Sequence, residues 1–195
     1  MSRILYVCTG NICRSPMAAA IALSTWAPFD PSLTVMSAGI MRSGLPATKE
    51  AQQAMVSRGM DISSHVSTSL SRALSENSFD LIVGMERRHV RKVLEHDLDL
   101  LAVTFNLIEL AGRTQGTPRT DQETLRDYLD RIGEGRRPSM YVGERLEEDI
   151  EDPFGQSYDV YEATADLLTK LIDEMVDSLW PANQTNAPNP LRDMG

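Results

Sequence analysis

At 195 residues, 24% of them charged and with a formal charge of −9, the chain is long enough for one α/β domain with a full core. Its acidity excludes a nucleic-acid binder or a general phosphate-binding surface. The apolar runs are short and no basic stretch precedes the first of them, so neither a membrane span nor a targeting leader is expected. Two cysteines in one loop, Cys8 and Cys13, do not make the disulfide framework of a secreted domain, and a cytoplasmic location is expected.

In chain order, Ile4-Leu5-Tyr6-Val7 reads as a buried central strand over residues 3–7. After the loop that begins at Cys8, a helix carries Pro16 in its first turn and runs to about Trp26, where Ala27-Pro28 ends it. Leu33 to Ser37 is a second strand, closed by Ala38-Gly39, and residues 40–47 are a loop on the side where the first strand ends. Thr48 suits the N-cap of a helix with Ala51, Ala54, Met55 and Met60 on one side. A short helix near 69–75, a strand over Phe79–Met85, a helix from Arg87 to about Leu94 and a strand over Ala102–Phe105 follow. This alternation implies right-handed crossovers and a doubly wound, four-stranded parallel sheet with helices on both faces. Ligands of such sheets sit beyond the carboxyl ends of the strands, where the Cys8 loop falls.

Residues 1–180 read as one domain, with 113–149 as an inserted, partly mobile segment carrying one helix. There Thr120-Asp121-Gln122-Glu123 has the capping-box pattern, Leu125, Tyr128, Leu129 and Ile132 mark one face, and Gly133 is a stop. Arg136 and Arg137 read as part of a solvated loop in preference to a contact for acidic substrates near the pocket. Ser157 is expected to cap a long last helix with Tyr161, Thr164, Leu168, Leu171, Met175 and Leu179 on one face. Residues 181–195 turn to Pro, Asn and Gln without periodicity and read as a disordered tail.

Strand, loop Cys8–Ser15 and helix start together make an anion cradle. Amides without helical partners and the positive end of the helix dipole point into it. The helix N-terminus, the Arg14 guanidinium and the Ser15 hydroxyl all favour a thiolate at Cys8. Arg14 offers a rigid fork of donors for two oxygens of a tetrahedral anion. Gly10 permits close backbone approach, and Asn11 can turn left-handed to curl the loop. No Gly-Lys-Ser/Thr is present, so this is not a nucleotide-type loop. Its chemistry suits covalent phosphoryl transfer through cysteine. Such a transfer needs a proton for the leaving oxygen. Asp152-Pro153-Phe154-Gly155 supplies a candidate: proline fixes the backbone beside the acid and Phe154 can wall the pocket. No His/Cys/Asp cluster stands at ligand spacing, so neither a metal nor another cofactor is expected. His89 and His96 are assigned to the surface.

The run Val7-Cys8-Thr9-Gly10-Asn11-Ile12-Cys13-Arg14-Ser15-Pro16 resembles the low-molecular-weight protein tyrosine phosphatase family, over roughly residues 1–112 and 150–180. The resemblance implies a phosphoprotein phosphatase acting on phosphotyrosine in a protein or peptide. Cys8 would become phosphocysteine, the amides of Thr9, Gly10, Asn11, Ile12 and Cys13 with Arg14 and Ser15 would bind the phosphoryl group, and Ser15 would stabilise the thiolate. Asp152 would be the general acid, then the base for hydrolysis. Ser37 and His65 match positions that join Asn11 in a network holding the loop, and Ile12, Met41 and Phe154 would line the substrate pocket. Cys13 is open to two readings, a packing residue or a reversible disulfide partner that shields Cys8. Three alternatives share the loop. Arsenate reductases need two further cysteines, absent after Cys13. Protein-arginine phosphatases have a similar acid loop but carry Thr where Ile12 stands. A non-catalytic phosphate-binding module is opposed by an intact Cys8, Arg14 and Asp152. Ile40, Met41 and Leu45 stand where tyrosine phosphatases often place an aromatic, and Gly155 where a second aromatic often follows Asp-Pro. The pocket wall is therefore expected to be partly aliphatic. The oligomeric state stays open.

Overall fold

The computed structural model describes residues 2–41, 43–143 and 145–181, so nearly all of the expected tail lies outside the described residues. Strands β1 (Arg3–Cys8), β2 (Thr34–Gly39), β3 (Leu81–Gly84) and β4 (Thr104–Asn106) form one sheet in the order β2-β1-β3-β4, with every pairing parallel. Side chains alternate across a strand, so β1 sends Ile4, Tyr6 and Cys8 into one apolar layer and Leu5 and Val7 into the other. That double burial is why Ile4 to Val7 carries no polar residue except a tyrosine. The layer with Tyr6 is covered by α1 (Arg14–Trp26), α2 (Lys49–Val56) and later helices, and the opposite one by α3 (Leu70–Glu76) and α4 (Arg87–Leu94). Helices therefore lie on both faces, as the alternation requires.

Thr48 caps α2 by accepting the Ala51 amide, and Ser69 caps α3 by accepting that of Arg72. Differences from expectation collect after β3. The fourth strand begins at Thr104, because Leu98–Val103 winds as a 3-10 helix. Helix α5 (Leu107–Thr114) has no counterpart in the sequence reading, although Asn106 and Glu109 form its capping box. The capping box of α6 (Leu125–Ile132) is Thr124 with Asp127. Thr120–Glu123 is instead a turn: Glu123 accepts the Thr120 amide and pairs with Arg131 on the following helix. Both stretches satisfy the cap pattern, and burial of Tyr128 and Leu129 decides between them. The last helix breaks at Met175 into α7 (Tyr158–Glu174) and α8 (Val176–Leu179), and Ser157 is its N-cap without a side-chain bond. The break turns Trp180 inward onto Trp26, with ring centroids 4.9 Å apart. Burying a side chain as large as Trp26 contributes roughly 3 kcal/mol.

Arg136, expected on a solvated loop, is buried. Its guanidinium lies 3.6 Å from the Phe105 ring centroid, donates to the Leu101 and Thr104 carbonyls and pairs with Glu109. A planar guanidinium can stack on a ring while its edge donors meet four acceptors, here with Tyr141 Oη as the fourth, which makes burial of the charge tolerable. It anchors the 113–149 stretch to β4 and α5, while Arg137 is exposed.

Candidate active site

β1 lies between β2 and β3, so the chain order reverses across it and a crevice opens beyond the carboxyl ends of β1 and β3. The loop between Cys8 and Arg14 fills that crevice. Asn11 curls it with a φ of 53°, the conformation Asn tolerates better than most residues. The Asn11 side chain donates to Ser15 Oγ at 2.9 Å and Ser37 Oγ at 2.8 Å, and accepts the Thr68 amide at 2.8 Å. The Asn11 backbone carbonyl accepts from His65 Nε2 at 2.7 Å, which fixes the proton on that ring nitrogen. Gly39 is required by this closeness, because a Cβ there would stand 3.0 Å from the Asn11 backbone nitrogen. Ser37 and His65 therefore meet at Asn11, behind the loop.

Cys8 is buried, and its sulfur accepts the Asn11 amide at 3.1 Å and the Ser15 hydroxyl at 3.0 Å. These two donors fix the position of the sulfur, whose thiolate is the nucleophilic form. Cys13 has a different setting. It packs 3.6 Å from both Thr48 Oγ1 and Tyr161 Oη, and burial pushes its thiol up. Both cysteines are free thiols.

Arg14 is buried with four partners. Nη1 donates to Glu86 Oε1 at 2.5 Å and the Ile150 carbonyl at 2.7 Å, and Nη2 to Asp152 Oδ2 at 2.5 Å and Thr9 Oγ1 at 3.3 Å. Asp152 is the more exposed carboxylate, its side chain 36% accessible against 14% for Glu86. Its other oxygen accepts the Phe154 amide at 3.3 Å. Burial opposes the charge of Glu86, but Arg88 and Arg14 more than offset it and hold the carboxyl below its usual range. Sequence reasoning missed Glu86. The available signal was positional: the residue after β3 and at the start of α4 must face the loop that leaves the neighbouring strand.

His89, expected at the surface, is instead completely buried. Nδ1 accepts the Glu86 amide at 3.0 Å, and Nε2 lies 3.1 Å from Thr9 Oγ1. Burial lowers its pKa to about 3, with Glu86 opposing and Arg14 and Arg88 reinforcing the shift. An unfolded histidine takes up a proton near 6.5, so stability falls as the pH drops from 6.5 toward 3, by roughly 1.4 kcal/mol per unit. Denaturant unfolding at pH 6.5 and pH 5 should therefore show a loss of about 2 kcal/mol from this residue. The loss should be missing in His89→Gln; an equal loss in that variant would contradict the assignment. His96 is exposed, as expected.

A cavity of about 330 Å³ opens above Cys8, lined by Cys8, Thr9, Gly10, Ile12, Cys13, Met41, Leu45, Asp152 and Phe154. Reactive groups form its floor and one side, and Ile12, Met41, Leu45 and Phe154 form apolar walls. The arrangement can hold a tetrahedral anion on a thiol with a carboxylate beside it and an apolar substituent above. Among the described residues, no group of three or more His, Cys, Asp or Glu could hold a metal ion, and no helix is long and apolar enough to cross a membrane.

The family model for low molecular weight phosphotyrosine protein phosphatase matches residues 3–115. A protein-arginine-phosphatase of Bacillus subtilis is 30% identical over 177 residues, covering 90% of this chain and 95% of its own. A probable low molecular weight protein-tyrosine-phosphatase, EpsP of Ralstonia nicotianae, is 44% identical over 134 residues, covering 68% of this chain and 89% of its own. Among solved structures, a cysteine-to-serine mutant of the YwlE arginine phosphatase with a phosphorylated active-site serine aligns with a TM-score of 0.68 and 27% identity, over 93% of this chain and 98% of that one. The matched residues contain the Cys8 loop, the sheet and α4, and the chain belongs to the low molecular weight phosphotyrosine protein phosphatase family of phosphoric monoester hydrolases.

Proposed function

We propose that this enzyme hydrolyses phosphotyrosine in phosphorylated proteins through a phosphocysteine at Cys8. The observation that carries the substrate is the apolar wall of Ile12, Met41, Leu45 and Phe154 above a polar floor, which suits a flat aryl group joined to a phosphate. The loop amides from Thr9 to Cys13, with Arg14 and Ser15, hold the phosphoryl oxygens, and the Cys8 thiolate attacks phosphorus. As the S–P bond forms, the P–O bond to the leaving group breaks and Asp152 gives that oxygen its proton. The Asp152 carboxylate then takes a proton from water, the water oxygen attacks phosphorus, and the S–P bond breaks to return Cys8 and release inorganic phosphate. Asp152 holds Arg14 Nη2 at 2.5 Å. An incoming phosphoryl group, with more charge and three oxygens, competes for that donor; the released carboxylate takes up a proton from solvent and then holds the proton it gives to the leaving oxygen. Ser37 and His65 support the loop through Asn11.

A second reading, phosphoarginine as substrate, is favoured by the arginine phosphatase relatives, which match the chain over nine-tenths of its length. Ile12 is the residue on which the two readings part, because its bulk and lack of a polar atom suit an aryl face better than a guanidino group. Ratios of kcat/KM for phosphotyrosine and phosphoarginine peptides test this. The native enzyme should prefer phosphotyrosine, and Ile12→Thr should move the ratio toward phosphoarginine by about tenfold. A native preference for phosphoarginine would replace the first reading with the second.

A further inference from the structure

We propose that the Thr9 hydroxyl is an additional catalytic donor to the phosphoryl group, and that His89 is the positioning residue that aims it. This rests on the phosphatase reading above. Three nitrogens converge on Thr9 Oγ1: Arg88 Nη2 at 2.9 Å, His89 Nε2 at 3.1 Å and Arg14 Nη2 at 3.3 Å. The direction of the histidine bond follows from its other nitrogen. Nδ1 accepts the Glu86 amide, so the single ring proton of a neutral imidazole sits on Nε2 and is donated to Thr9. The ring is sealed from water, and α4 with Glu86 fixes its plane.

A hydroxyl oxygen has two lone pairs and one proton. With three N–H groups directed at Oγ1, the lone pairs are committed and the proton must point elsewhere. Thr9 lines the cavity over Cys8 beside Asp152, both accepting from Arg14 Nη2. A phosphoryl oxygen bound over Cys8 enters that cavity, and in this proposal it accepts a hydrogen bond through the hydroxyl proton that the three donors leave free. In an ordinary loop a threonine hydroxyl rotates and can present a lone pair to an anion. Here His89 and Arg88 hold it in the donating orientation before the anion arrives, which is the preorganisation that strengthens a hydrogen bond to developing charge.

The test uses the full-length enzyme with para-nitrophenyl phosphate as substrate and inorganic phosphate as competitive inhibitor. Thr9→Val keeps the shape of the side chain and removes the hydroxyl. It should lower kcat/KM and weaken phosphate inhibition by about tenfold each, the value of one hydrogen bond to a charged group. Thr9→Ser should lose no more than about threefold. His89→Leu should reproduce the Thr9→Val losses, and His89→Gln, which restores an N–H donor of similar reach, should recover most of them. The Thr9→Val/His89→Leu double variant should lose no more than Thr9→Val alone, because the two side chains act through one proton. A merely structural His89 gives additive losses and no rescue by Gln, and that result overturns the positioning role. Thr9→Val with native kcat/KM and native phosphate inhibition overturns the whole proposal. It does so without touching the phosphatase reading, which fails only if the freshly reduced native enzyme has no turnover.

Discussion

Replacing Cys8 by Ser should lower turnover of para-nitrophenyl phosphate by at least roughly 10⁴-fold, the usual consequence of removing an enzyme's nucleophile. A serine hydroxyl is almost wholly un-ionised at neutral pH, and the two hydrogen bonds that position the sulfur cannot ionise an alcohol. The same hydrogen bonds can be made to a serine oxygen, so the fold should survive. Inorganic phosphate should still bind to the variant, because Arg14 and the loop amides are intact. Fluorescence or calorimetric titration with phosphate checks the second half of this expectation. Activity within tenfold of native, or complete loss of phosphate binding, would show that Cys8 has another role.

Asp152→Asn should lower kcat by roughly 10² to 10⁴, the range for loss of a general acid–base group. The size should depend on the leaving group. Phenyl phosphate must receive a proton as its P–O bond breaks, whereas para-nitrophenolate departs without one. The loss in the first step should therefore be large for phenyl phosphate and small for para-nitrophenyl phosphate. Hydrolysis of phosphocysteine needs a base for water in both cases. With para-nitrophenyl phosphate the variant should thus show a burst of nitrophenolate equal to one per active site, followed by slow turnover. The substitution also removes the ion pair that the Asp152 carboxylate makes with Arg14, which rests on a partly exposed group and adds little to stability. Equal losses of kcat/KM, which reports the leaving-group step, for the two substrates would remove Asp152 from the acid role.

The parts of this molecule that can be read from sequence are those where local chemistry and tertiary structure agree. Ile4-Leu5-Tyr6-Val7 is buried on both sides, so its lack of polarity identifies a central strand without further information. The Cys8 loop is legible because a single stretch carries the strand end, the left-handed Asn11, the cation and the helix start. Glu86 and His89 escape a sequence reading because their meaning depends on which strand lies next to β1. At the start of α4 they sit among Arg87, Arg88, Arg91 and Lys92, a setting that reads as solvated, and only the pairing of β1 with β3 brings them to Thr9 and Arg14. Arg136 is misplaced for a related reason: the Phe105 ring and the carbonyls that accept it come from a distant strand and its approach. Helix α5 shows the reverse case, in which the Asn106 and Glu109 cap is present but eight residues give too short a pattern to stand out.

Passage of the reaction through phosphorus bonded to the sulfur of Cys8 is the central claim. Asp152→Asn mixed with para-nitrophenyl phosphate, quenched in acid during the slow phase and digested, offers the most direct test by mass spectrometry. A phosphoryl mass increment is expected on the peptide containing Cys8, in near-stoichiometric amount, and none in the Cys8→Ser/Asp152→Asn double variant treated alike. A nitrophenolate burst with no phosphoryl group on the Cys8 peptide, or steady turnover with phosphate released directly to water, would contradict it.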